Sequence, residues 1–235
     1  MKRILIVEDE AAIREFEVIN LKRVGYETAE ADCAETALKI YDEDPQDFDI
    51  ALLDISMPGM DGFTLCKELR RRSSELGIIM LTARTQEMDK ISGLMMGADD
   101  YITKPFSPTE LNARVDSLYR RVEMQHAKVQ KTVSDEIRLG DFVLNLRRRT
   151  LSKSNKNIEL TQVEFQIVEY FFTNPDTALD RNDILTRVWG DSYYGEEKIV
   201  DVNIRRLRMK IEDTPSSPKY LVTVWGMGYK WCSEA

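Results

Sequence analysis

Apolar runs of four or five residues punctuate the first half of the chain: RILIV at 3–7, IALL at 50–53 and IIML at 78–81, with weaker runs at 26–31 and 101–103. Each has the length of a buried strand. The stretches between them carry helical spacing. Residues 11–24 place Ile13, Phe16, Leu21 and Val24 near one stripe and close at Gly25, and Leu65 and Leu69 repeat the theme after Gly62. Five strands alternating with helices predict an α/β unit, a doubly wound five-stranded parallel sheet with helices on both faces. Ligands of such sheets bind beyond the carboxyl ends of the strands.

The pattern changes after residue 121. Residues 122–134, VEMQHAKVQKTVS, lack firm apolar periodicity and read as a flexible connector, which divides the chain into 1–121, 122–134 and 135–235. From 136 onward apolar and polar residues alternate, with turn residues at Gly140, Asn145 and Ser154-Asn155, as in a small antiparallel sheet, and Arg147-Arg148-Arg149 reads as a charged turn. Thr161 and Glu164 form a capping box that opens a helix with Phe165, Val168, Phe171 and Phe172 toward a core. A second helix runs from about Arg181 to Trp189, and a loop over 190–195 leads to a third over 197–213, EKIVDVNIRRLRMKIED. At 100° per residue Val200, Ile204, Leu207 and Ile211 fall within about 60° and define a buried stripe. The opposite face then carries Lys198, Val202, Arg205, Arg206 and Met209. YLVTVWGMGYKW at 220–231 reads as a hairpin turning at Gly226-Met227-Gly228, so helices followed by a terminal hairpin predict an α+β winged helix-turn-helix unit.

Composition narrows the function classes. No apolar run approaches the ~18 residues of a membrane-spanning helix, and MKRILIV lacks the apolar core and cleavage site of a secretory signal, so a cytoplasmic protein with no membrane partner is expected. Cys33, Cys66 and Cys232 fit neither a disulfide framework nor zinc-ligand spacing. The single histidine, His126, has no catalytic or metal-binding pattern around it. The net charge of −8 is unevenly shared: residues 1–123 carry 16 Lys and Arg against 25 Asp and Glu, and residues 124–235 carry 17 against 16. The two halves face different partners.

At the predicted strand ends the sequence places Glu8 and Asp9, Asp54, Thr82, and Lys104 before Pro105. Clustered carboxylates repel one another, and a hard divalent cation such as octahedral magnesium resolves that repulsion. Acids after strands can also cap helices, and Asp9 or Glu10 alone would be explained that way. Four strand ends that each deliver a group suited to phosphate chemistry point to a site. In the second half, five basic residues on one helix (Lys198, Arg205, Arg206, Arg208 and Lys210) suit phosphates and base edges of a DNA major groove.

VEDE at 7–10, LLDISMPGMDG at 52–62, LTAR at 81–84 and GADDYITKPF at 97–106 resemble the motifs of the CheY-like receiver domain of bacterial two-component response regulators. LTQVEFQIV, RVWG, VDVNIRRLRMKI and VTVWGMGYKW make residues 136–231 resemble the winged-helix effector domain of the OmpR/PhoB subclass. The resemblance implies that Asp54 is the phosphoacceptor for a sensor histidine kinase. It further implies that Glu8, Asp9, Asp54 and the Ser56 carbonyl hold Mg2+, that Lys104 meets the phosphoryl oxygens across a cis bond to Pro105, and that Thr82 and Tyr101 form the switch. Tyr101 is then expected half-exposed before activation. By the same resemblance, Glu110, Arg114 and Arg121 would pair with Lys90, Asp100 and Asp99 of a second copy across a homodimer. Read without it, these residues are a solvated helix face. Val202 and Arg206 would approach bases, and Lys198, Asn203, Arg205 and Arg208 phosphates, with Trp189 and Thr223 adding backbone contacts unless Trp189 is core. Trp225 stands where some relatives place an arginine that enters the minor groove, so a weaker wing is implied. The implied function is a phosphorylation-dependent transcriptional regulator, not an enzyme beyond its own phosphoryl transfer and dephosphorylation. It would act at paired promoter half-sites, direct repeats about 10–11 bp apart, in the presence of RNA polymerase. The alternative is constitutive DNA binding with the receiver only a dimerisation module. An aspartyl phosphate-ester hydrolase would want a second aspartate where Ser56 stands.

Overall fold

The computed structural model describes residues 2–83, 96–127, 136–191, 193 and 196–233, without side chains at 46 and 123–127. The chain divides into two units, Met1–Glu123 and Met124–Ala235.

In the first unit the apolar runs become β1 (Arg3–Val7), β2 (Glu27–Ala31), β3 (Ile50–Asp54), β4 (Gly77–Thr82) and β5 (Asp100–Thr103), a fully parallel sheet in the order β2-β1-β3-β4-β5. Ile4, Ile6, Ile50, Leu52, Ile79, Leu81 and Ile102 are fully buried in one core cluster, as expected of strands covered on both faces. Helices α1 (Ala11–Arg23), α2 (Ala34–Glu43), α3 (Gly62–Arg72) and α4 (Pro108–Ala127) complete the described part of this unit. The strand order reverses beside β1 and β3, which opens a crevice at their carboxyl ends.

Two expectations change here. In α1 the buried residues are Glu17, Val18, Asn20 and Leu21, whereas Phe16 and Val24 of the predicted stripe are exposed, as is Ile19. Apolar residues are spread around this helix, so no single stripe identifies its inner face. Helix α4 continues to Ala127, into the segment read as connector, because VEMQHA contains no glycine or proline to end it. Residues 128–135 lie outside the described residues.

In the second unit, β6 (Glu136–Leu139), β7 (Phe142–Asn145), β8 (Thr150–Lys153) and β9 (Lys156–Ile158) form the antiparallel meander, with the arginine turn between β7 and β8. Helix α5 (Gln162–Thr173) starts at the expected capping box, where Thr161 N–H donates to Glu164 at 2.8 Å and Glu164 N–H donates to Thr161 Oγ1. Then follow β10 (Leu179–Asp180), α6 (Arg181–Trp189), α7 (Lys198–Ile211), β11 (Leu221–Val224) and β12 (Gly228–Trp231). Strand β12 pairs with β11 and β10, so the terminal hairpin belongs to a three-stranded sheet. A Cβ at Gly228 would stand 2.1 Å from the Leu179 carbonyl, so this pairing needs glycine. Trp231 is fully buried against Phe142 and Phe172, with ring centroids 5.1 and 4.7 Å away.

Candidate functional site

The carboxyl ends of β1, β3 and β5 bring three carboxylates and an ammonium together. Ligand oxygens of Glu8, Asp9 and Asp54 all lie within 4.8 Å of one another. Lys104 Nζ reaches Glu8 at 2.5 Å and Asp54 at 2.7 Å. Glu8, Asp54 and Thr82 are buried, and Asp9 is partly open. The Ser56 N–H donates to Asp54 Oδ2 at 3.1 Å, and the Arg14 guanidinium donates to the Glu8 carbonyl at 2.5 Å, so side chains and backbone lock the pocket. The peptide bond between Lys104 and Pro105 is cis. Behind Asp54, the Asp61 side chain caps α3 by accepting from Thr64 N–H at 2.8 Å. A Cβ on Gly62 would lie 2.1 Å from the Asp54 carbonyl oxygen, so only glycine allows α3 to start this close to the phosphoacceptor position.

Two of the three carboxylates, those of Glu8 and Asp54, share the Lys104 ammonium, and the crowding shows in the chemistry of Glu8 and Lys104. Burial pushes the Glu8 carboxyl above its ordinary value, and the neighbouring Asp54 charge adds to this although the Lys104 hydrogen bond opposes it. Burial draws the Lys104 ammonium down, but its hydrogen bonds to Asp54 and Glu8 outweigh burial and hold it above its ordinary value. Donors that are all hard oxygens suit magnesium-like cations and offer nothing to a soft metal.

Glu17 was not among the sequence candidates. Fully buried on α1, it has no hydrogen-bond partner for either carboxylate oxygen, and burial together with the charges of Glu8 and Asp54 pushes it up to about 8. Only its position three residues after Arg14 on the inner face of α1 could have announced it, and the scattered apolar residues of that helix hide the face.

Tyr101, expected half-exposed, is 6% exposed, and Asp100 and Ile102 beside it are also buried, so lying at the sheet edge does not open β5 to solvent. Of the dimer candidates, Lys90 lies outside the described residues. Within the single chain Arg114 pairs with Asp100 and with Glu110, both at 3.2 Å, and Arg121 is buried. Asp99 is fully buried, held at 2.8 Å by Arg70, which also donates to the Gly97 carbonyl, and it accepts the Ile78 N–H. Asp99 therefore does not stand on the surface where a second copy would meet it.

In the second unit α7 buries a wider arc than its aliphatic stripe. Val202, Asn203 and Arg206, expected to face DNA, are buried with Val200, Ile204, Leu207 and Ile211. Arg206 pairs with the fully buried Glu164 at 3.1 Å and donates to Asn203 Oδ1, and Asn203 donates to the Ile199 carbonyl. Lys210 reaches Glu164 at 2.6 Å. Burial opposes charge on Glu164, yet the two cations outweigh it and hold its carboxyl below the ordinary value. The capping box thus buries an acid, and α7 answers it with the buried Arg206 and with Lys210, which reaches in from the surface. Lys198, Arg205 and Met209 stay exposed, with Asp201 and Arg208 partly so. Arg208 donates to the Leu221 carbonyl at 2.8 Å and to Thr223 Oγ1 at 2.9 Å, which fastens the hairpin beside this face. Trp189 is buried core. Trp225, at the hairpin tip, is 92% exposed.

Comparison with known proteins matches both units. The model of the response regulator receiver domain covers residues 4–116, and that of the transcriptional regulatory protein C-terminal domain covers residues 155–231. Among solved structures, a cysteine-to-serine mutant of RitR is 25% identical with a TM-score of 0.78 over 98% of this chain and 99% of its own. DrrB, an OmpR/PhoB homolog of Thermotoga maritima, is 28% identical with a TM-score of 0.50 over 99% of each chain. The CheY-like receiver domain protein of Methanospirillum hungatei is 32% identical with a TM-score of 0.50 over 53% of this chain and 98% of its own.

Proposed function

We propose that this chain, which belongs to the OmpR/PhoB-type response regulators, is a DNA-binding transcription factor controlled by phosphorylation of Asp54. The observation that carries the reading is the Lys104 ammonium seated between the carboxylates of Asp54 and Glu8 at the end of the parallel sheet. An Asp54 oxygen attacks the phosphorus of a phosphohistidine on a sensor kinase. The P–O bond forms as the P–N bond breaks, and the histidine leaves with its electron pair. Lys104 then exchanges carboxylate partners for the new phosphoryl oxygens, and the Thr82 hydroxyl, fully buried at the neighbouring strand end, hydrogen-bonds to another. The oxygens of Glu8, Asp9 and Asp54, with the Ser56 carbonyl, would hold Mg2+, which supplies neutralisation of phosphoryl charge. The same receiver hydrolyses its own acyl phosphate.

Phosphorylation acts on DNA through receiver dimerisation. Two winged helices on one dimer engage paired half-sites together and gain effective concentration. On the face beside β5, Arg114 must share Asp100 and Glu110 with the second copy, and Asp99 keeps Arg70. Lys198 and Arg205 supply phosphate contacts, and Arg206 serves the fold. Intact-mass spectrometry after incubation with Mg2+ and acetyl phosphate tests the site. One phosphoryl group on the wild type and none on Asp54→Ala is expected. No gain on the wild type, with a control receiver modified in parallel, would replace the reading by constitutive DNA binding.

A further inference from the structure

The wing is built to hold an apolar residue out in water. Its strands pair Leu221 with Trp231 through Val224 with Gly228, and the Met227 N–H donates to the Val224 carbonyl at 3.0 Å, closing the turn. The base of the hairpin is fastened on several sides. Three N–H groups, from Lys219, Tyr220 and Leu221, donate to the Glu212 carboxylate, Arg208 grips β11, and the Tyr229 hydroxyl donates to Asp201 of α7 at 2.7 Å. On this support Trp225 is 92% exposed and Met227 50% exposed, while the stretch 221–229, LVTVWGMGY, carries no charge. An exposed tryptophan on a rigid turn bears a large apolar surface with no covering partner.

We propose that Trp225, with Met227, is an apolar wedge that enters the DNA minor groove and partly unstacks a base-pair step. The inference rests on the DNA-binding reading and adds a specificity-determining element to it. Charge complementarity selects DNA as the occupant. The tip itself cannot attract phosphates, but the exposed Lys198 and Arg205 and the half-buried Arg208 lie on the face that the wing borders, so phosphates drawn there bring a groove to the tip. Apolar side chains inserted this way kink the duplex toward its major groove, and flexible pyrimidine–purine steps yield most readily. The wing then selects sequence by deformability, with no hydrogen bond to a base.

Trp189 and Trp231 are buried, so Trp225 is the tryptophan that a quencher in solution reaches. The test uses the full chain and duplexes that it selects from a random-sequence pool. Acrylamide should quench wild-type fluorescence strongly, and bound duplex should shield it. Trp225→Ala should weaken binding about tenfold. It should also remove both the bend, read by circularly permuted duplexes, and the fluorescence rise of 2-aminopurine placed at the wing-side step. Trp225→Phe should retain the bend. Arg205→Ala should weaken binding on every duplex and leave the bend in place. Unchanged affinity and bend in Trp225→Ala overturn the wedge. Loss of self-association with unchanged DNA binding also overturns it, and makes a second copy the occupant. Failure to select any duplex would instead overturn the DNA-binding reading beneath it.

Discussion

Replacing Glu17 by glutamine removes one buried titratable group from behind the phosphoacceptor pocket and tests the electrostatics assigned to it. The carboxyl is fully buried without a hydrogen-bond partner, and it titrates at about 8 in the fold against an ordinary 4.5. Because the folded value is the higher one, the folded state binds the proton more tightly than the unfolded chain does. The resulting stability is complete below about pH 4.5 and is lost as pH rises toward 8. At 1.36 kcal/mol per pH unit, the loss reaches about 3 kcal/mol at pH 7 and levels off near about 5 kcal/mol above pH 9. Glutamine does not titrate, so its own desolvation contributes a constant offset. Urea unfolding followed by far-UV circular dichroism, with Glu17→Gln compared to wild type at each pH, isolates the carboxylate because the second unit is unchanged. The variant's stability margin should widen by about 3 kcal/mol between pH 6 and pH 9. Parallel curves would refute the reasoning, since they would mean that Glu17 is solvated or paired in solution.

Other substitutions read separate parts of the account. Gly62→Ala forces a Cβ to within 2.1 Å of the Asp54 carbonyl, so thermal melting should show a loss of about 1–3 kcal/mol together with slower phosphorylation. Arg206→Met leaves the buried Glu164 with Lys210 alone and should cost about 3–5 kcal/mol of stability in denaturant titration. A stable Arg206→Met chain with altered base preference would return this residue to the DNA face. Arg205→Ala should weaken binding evenly across duplex sequences and reduce the slope of log affinity against log salt by about 1 in titrations at several salt concentrations.

Strand ends were legible in the sequence because an apolar run followed by Glu8-Asp9, Asp54 or Lys104 has one arrangement in a parallel sheet. The convergence of these residues follows from that topology alone. The capping box at Thr161 and the hairpin at Gly226 were legible for a similar reason, since short-range backbone hydrogen bonding dictates both. Side-chain direction on helices was not. On α7, counting aliphatic residues located Val200, Ile204 and Leu207, but the inward turn of Arg206 and Asn203 depends on Glu164, which lies far off in sequence. On α1, the charge of Glu17 argued against the inner face that it occupies. Asp99 looked like a surface acid until Arg70, from α3, was seen to reach it. Each failure is a long-range polar pairing or a packing constraint overriding local periodicity.

The central claim is that a phosphoryl group on Asp54 tightens the grip of the second unit on DNA. Fluorescence anisotropy with a duplex selected by the chain measures this directly, before and after treatment with Mg2+ and acetyl phosphate. Treatment should tighten binding by the wild type and leave Asp54→Ala where it began. Equal tightening of both proteins, or none in a wild-type sample whose mass confirms the phosphoryl group, would contradict the account.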